Sequence, residues 1–378
     1  SLVLVAAAGL LMSSWRALAT LDPGFHRNGI LLVRADIHQT NTPPEQRVAY
    51  FTRALDCLRA IPGVRGASVS MMAPIGAGRW NNTLHVDGFT RKSVDDANAW
   101  MNAVSDGYFT TLGIPLRQGR DFTTRDDATT PRVAIVSEAM ARHFFNTPSV
   151  IGKRFREQDG PGLTPPIEIV GVVGDAKYTS LRASAEPVVY YPQAQEYANT
   201  ESRSFELRTD GAPLSVMPSV KSIMAELSPK IALQPITLEQ QLDNTTAVTR
   251  TVALLSGFFG ALALVLATIG LYGVMSYNVA RRRNEIGIRI ALGAEYGRVV
   301  RMVLGDVGRI VLAGVVIGIL VSAGATRLVT SFLCGVTPSD PATFALSAAI
   351  LFAVGMCAAA LPARRAARLD AMAALREE

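Results

Sequence analysis

A chain of 378 residues that is 49% apolar, with positive mean hydropathy, has room for two or three domains and the composition of a membrane protein. Its net charge of +6 is unevenly placed: residues 22–250 hold 24 Lys+Arg against 24 Asp+Glu, and the remainder holds 13 against 7. A nucleic-acid-binding domain would concentrate the excess cations in a soluble fold, so nucleic acid is excluded as a partner; cations beside apolar segments suit the anionic inner leaflet of a lipid bilayer instead.

The first residues, SLVLVAAAGLLMSSW, are apolar up to Arg16 and lack the basic start and the clear cleavage site of a signal peptide. About 20 apolar residues cross a bilayer. Residues 1–21 are therefore expected to be the truncated end of a first transmembrane helix. Residues 30–37 read as a strand and 44–60 as a helix with Val48, Phe51, Leu55 and Leu58 on one face. With a second strand at 64–71 they make a βαβ unit.

A second such unit is expected from the strand 204–208, the helix 213–227 and the strand 231–236. Together the two units predict one ferredoxin-like domain in two pieces, 30–73 and 200–237, split by a β-rich insertion over 74–199. Within the insertion Tyr108, Phe109 and Phe122 are expected in the core. Gly171 and Gly174 with Asp175 lack the Lys-Ser/Thr pair of a phosphate loop, so any ATP must be bound by another polypeptide.

Only Cys57 of the three cysteines lies in the middle region, so no disulfide framework is expected there. Four scattered His and the lack of CxxC or HExxH give no reason to expect a metal or other cofactor. No nucleophile, acid pair or metal cluster has recognisable spacing, which points away from an enzyme.

Three more membrane helices are expected at about 251–280, 306–329 and 341–363, which with the first makes four. Gly314 and Gly318, four apart, mark a close helix contact with either this chain or a second copy. Residues 281–306, RRRNEIGIRIALGAEYGRVVRMVLGD, carry six Arg against three acids and should face the cytoplasm. Arg281, Glu285 and Arg289 stand four apart, and Ile286, Ile290 and Ala294 fall on the opposite face. That spacing predicts a short amphipathic helix, about 282–294, at the inner membrane surface. Residues 22–244 then lie outside the cytoplasm. The expected fold is an α+β extracytoplasmic domain joined to all-α transmembrane helices.

EIGIRIALGA, preceded by arginines and followed by an apolar segment, resembles the cytoplasmic signature of MacB/FtsX-like ABC transporter permeases. The middle region carries further tracts of that resemblance: LDPGF, NNTLHVDGF, AVSDGYFTTLGIPLRQGRDF, RVAIVSEAMARHFF, SVIGKRF, IEIVGVVGDAKYTSL and EPVVYYP. They are similar to the MacB-like periplasmic core domain, with its porter-like and β-rich subdomains. Duplicated permeases of the acidobacterial type look similar too.

The resemblance implies a non-catalytic permease subunit of the bacterial inner membrane that passes motion from a separate cytoplasmic ATPase to the extracytoplasmic domain, for export or efflux. It implies a coupling helix whose ATPase contacts fall on Arg283, Glu285, Ile286, Gly287, Arg289, Ile290, Ala291, Leu292, Gly293 and Ala294. Ile290 stands where many relatives carry a basic residue, and Ala371 follows Asp370 where proline is common. A second permease copy or half is a further implied partner, and a periplasmic adaptor is compatible. Rival readings are an FtsX-like regulator of cell-wall enzymes and a membrane-anchored sensor or scaffold that uses no ATP.

Overall fold

The computed structural model describes residues 2–76, 78–93, 95–195, 200–282, 296–329 and 341–367. The chain divides into two compact units, Leu21–Thr245 and Ser1–Thr20 with Thr246–Glu378. Helix α1 (Leu2–Thr20) precedes strand β1 (Ile30–Asp36), helix α2 (Pro44–Arg59) and strand β2 (Val64–Ser70). Then come β3 (Asn81–His85), β4 (Asn98–Val104), α3 (Tyr108–Leu112), β5 (Leu116–Gly119) and β6 (Val133–Ser137). They are followed by α4 (Glu138–Phe145), β7 (Arg154–Asp159), β8 (Gly162–Leu163), β9 (Ile167–Val173) and β10 (Val188–Pro192). After β11 (Ser202–Thr209), α5 (Met217–Leu227) and β12 (Ala232–Thr237) the long helices begin: α6 (Leu238–Arg281), α7 (Tyr296–Val329) and α8 (Pro341–Ala367).

The globular unit has two parts. In the first, β2, β11, β1 and β12 lie side by side in that order, each antiparallel to its neighbour. The period of two puts Leu31, Val33, Ala67, Val69, Phe205 and Leu207 on one face. Phe51, Ala54, Leu55 and Leu58 of α2, at helical spacing, pack on that face with Val220 and Met224 of α5. Pro44 opens α2 without loss, because a first-turn N–H has no intrahelical acceptor.

The second part is a ring. β3 pairs with β4, β4 with β10, β10 with β6, β6 with β9, β9 with β7, and β7 again with β3. Six strands thus close on themselves, and none of the six is left with an open edge. Leu84, Met101, Val136, Phe155, Ile169 and Val189, one from each strand, share one core, so the interior is filled. The single register pair Ser70↔Val104 links β2 to β4 and joins the two parts.

In the helical unit, α6 is uninterrupted for 44 residues and starts 13 residues before the expected 251. Residues 238–250 contain no Gly or Pro to stop a helix, and Leu238 and Leu242 bury one side of them. Farther along, Phe258, Leu266 and Ile269 are all more than 60% exposed, as side chains facing lipid or a partner helix would be. Among the described residues, two of the four expected spans, α1 and α6, are long and apolar enough to cross a bilayer, and α7 and α8 contain the apolar stretches Gly308–Gly318 and Ala345–Ala360. The partner of Gly318 lies in the same chain: a Cβ there would stand 2.8 Å from the Leu2 Cβ of α1, while Gly314 borders open space.

Candidate functional site

Residues 283–294, the expected coupling helix with Arg283, Glu285, Ile286, Gly287, Arg289, Ile290, Ala291, Leu292, Gly293 and Ala294, lie outside the described residues. What is described is the pair of helix ends that bracket them. At the end of α6 the Arg282 N–H donates to the Asn278 carbonyl at 3.1 Å, and Arg281 and Arg282 are exposed. Two residues into α7 stands Arg298, then Arg301, both exposed. Cations suit the C-terminus of α6.

In the globular unit the notable polar group is Glu206 of β11, fully buried on the sheet face opposite α2 and α5. Ser68 Oγ lies 2.9 Å from its Oε2 and Ser70 Oγ 2.6 Å from its Oε1; Ser70 Oγ also lies 3.0 Å from the Met72 carbonyl. Ser70 has one hydrogen and two acceptors in reach. A proton on Glu206 Oε1 resolves this: it donates to Ser70 Oγ, which donates to Met72. Burial pushes the Glu206 carboxyl up to about 8 against the lowering effect of its serine partners.

Other carboxylates have structural partners. Asp126 accepts two bonds from Arg120, both 2.7 Å, which hold its carboxyl below the usual range. Buried Glu157 accepts from the Tyr191 hydroxyl, and its carboxyl is raised chiefly by burial. Among the described residues no group of three or more His, Cys, Asp or Glu is placed to hold a metal ion. Tyr108, Phe109 and Phe122 are core residues, with Phe109 edge-on to Tyr190 at 5.0 Å. Glu206 was not legible as a site residue, because strand alternation alone assigns it to the solvent side of Phe205 and Leu207.

A mixed α/β globular unit in one chain with long, exposed apolar helices defines an integral membrane protein carrying a folded domain. The MacB-like periplasmic core domain matches residues 3–242, and the FtsX-like permease C-terminal domain matches residues 257–371. The chain belongs to the MacB/FtsX-like family of ABC transporter permeases, which is membrane-embedded with a periplasmic domain.

Among its relatives, an uncharacterized ABC transporter permease, YknZ of Bacillus subtilis (strain 168), is 27% identical over 75% of this chain and 71% of its own length. The macrolide export ATP-binding/permease protein MacB of Marinobacter nauticus is 25% identical over 76% of this chain but only 45% of its own length. The chain thus spans less than half of that longer relative. A crystal structure of the periplasmic region of MacB from Actinobacillus actinomycetemcomitans aligns with a TM-score of 0.41 at 14% identity, over 62% of this chain and 97% of that one.

Proposed function

We propose that this chain is the motion-transmitting subunit of an ABC system: a cytoplasmic ATPase acts on residues 283–294, and the globular unit moves on the far side of the membrane to drive export or efflux. The observation that carries the reading is the succession of a periplasmic core domain, an FtsX-like helical domain and EIGIRIALGA in one sequence. The covalent path supports it: the first turns of α6 belong to the globular unit, and the helix ends at Arg281, two residues before the segment. In this reading the four strands β2, β11, β1 and β12 with α2 and α5 form a split ferredoxin-like porter subdomain, the ring is its β-rich insertion, and four helices span the inner membrane. A second permease copy or half completes the assembly.

Ile286 and Gly287 test the coupling role. Either one changed to Asp places a charge on the apolar side of the proposed contact. The chain should still insert and fold, while ATP hydrolysis by the reconstituted ATPase loses its dependence on the permease. Full stimulation by both variants would remove the coupling assignment, and failure to find any ATPase that the wild-type chain stimulates would favour the sensor or scaffold reading.

A further inference from the structure

A cleft of about 650 Å³ opens on the face of the four-stranded sheet opposite α2 and α5, beside the part that α3 covers. That volume lies in the range of small-molecule sites, roughly 300–1,000 Å³. The pairings Leu32↔Ile236, Arg34↔Gln234 and Arg34↔Ser204 set all five of these residues on one face, where they form one wall. The other wall is the connection from β2 to β3, with Met71, Met72, Arg79 and Trp80. Trp80 also packs against the core of the ring, its indole 5.9 Å from the Tyr191 ring, so the cleft is bounded by both parts of the globular unit.

The chemistry of the walls is two-sided. Leu32, Met71, Met72 and Trp80 offer an apolar and adaptable surface, since thioethers reshape easily around a guest. Arg34 donates to Ser202 Oγ at 2.8 Å and meets no carboxylate among the described residues; Arg79 is exposed and has no hydrogen-bond or ion-pair partner there. Glu201 is the one acid in the described lining, and His38 (2.5 Å) and Arg47 (2.7 Å) already occupy it. We propose that this cleft binds an amphipathic anion, with its apolar body against Met71, Met72 and Trp80 and its carboxylate, phosphate or sulfate group between Arg34 and Arg79.

The site is tied to α6. Gln241 lines it, and its Nε2 donates to the Pro74 carbonyl at 2.6 Å, so a guest lodged under the connection bears on the bond that holds it to the helix. The guest could be a soluble anion or a lipid with an anionic headgroup.

The test is a titration of the full chain, in nanodiscs of zwitterionic lipid, with cholate below its micellar concentration, followed by tryptophan fluorescence and calorimetry. Saturable binding is expected, with a fluorescence change that disappears in Trp80→Phe and an affinity at least about tenfold weaker in Arg34→Ala/Arg79→Ala, since two charge-assisted bonds are lost. Competition by phosphatidylglycerol in the disc would identify a lipid as the natural guest, and unchanged affinity a soluble anion. No saturable heat, equal affinity in the double-Arg variant, or an unaltered fluorescence response in Trp80→Phe would each overturn the proposal. The measurement needs no ATPase, so it succeeds or fails independently of the coupling role.

Discussion

Glu206 shows what single positions in this chain hide. Its neighbours Phe205 and Leu207 alternate inward, so β11 by itself assigns Glu206 to water. Helix α3, which comes from within the insertion some hundred residues earlier, packs against β2 and β11 and closes that side. Only the fold could reveal the burial. The consequence is measurable, because the folded state holds the Glu206 proton up to about pH 8 while the unfolded chain releases it near 4.5. The stabilisation is complete below the unfolded value and declines as the pH rises toward 8, by on the order of a few kcal/mol in all. Glu206→Gln keeps a donor and an acceptor but cannot titrate. Its thermal midpoint should therefore fall less than that of the wild type between pH 5 and 8, and parallel curves would refute a neutral Glu206.

Elements were more legible than positions. The helix spacing of Phe51, Leu55 and Leu58 and the alternation in residues 30–37 announce α2 and β1, because both patterns are local. The closure of the β ring was not announced, since it depends on pairings such as Leu84↔Glu157 that join strands about 70 residues apart, and no local pattern encodes partner choice. The extension of α6 ahead of its apolar stretch is not legible for a similar reason: residues 238–250 look like a polar linker until Leu238 and Leu242 find a surface to cover.

One residue at the seam between elements carries several duties. Ser137 Oγ caps α4 by accepting from the Met140 N–H at 3.2 Å, and it accepts from the Val188 N–H of β10 at 3.0 Å. Ser137→Ala removes the cap and strands a buried donor, so a loss of about 1–3 kcal/mol is expected. Ser137→Thr should recover most of it. An unchanged unfolding midpoint in Ser137→Ala would mean that water or another group already serves both N–H groups.

For the whole molecule, charge bookkeeping along the sequence spoke more clearly than any element. Residues 22–250 balance to zero while the apolar remainder keeps the full +6, with 13 Lys+Arg against 7 Asp+Glu, and the proposed orientation places those cations by the positive-inside rule. Those cations include the exposed arginines at the ends of α6 and α7, which flank in sequence the segment whose ATPase role the resemblance implies. The proposed orientation makes a sharp demand on protease access. Arg91, Lys92 and Arg125 are exposed in connections of the globular unit, and Arg298 and Arg301 are exposed on the first turns of α7. Trypsin added to sealed spheroplasts should cut at the first three sites and spare the last two until the membrane is opened. Cleavage at Arg298 or Arg301 in sealed cells, with Arg91 and Arg125 protected, would invert the topology, and the ATPase could then no longer reach residues 283–294 from the cytoplasm.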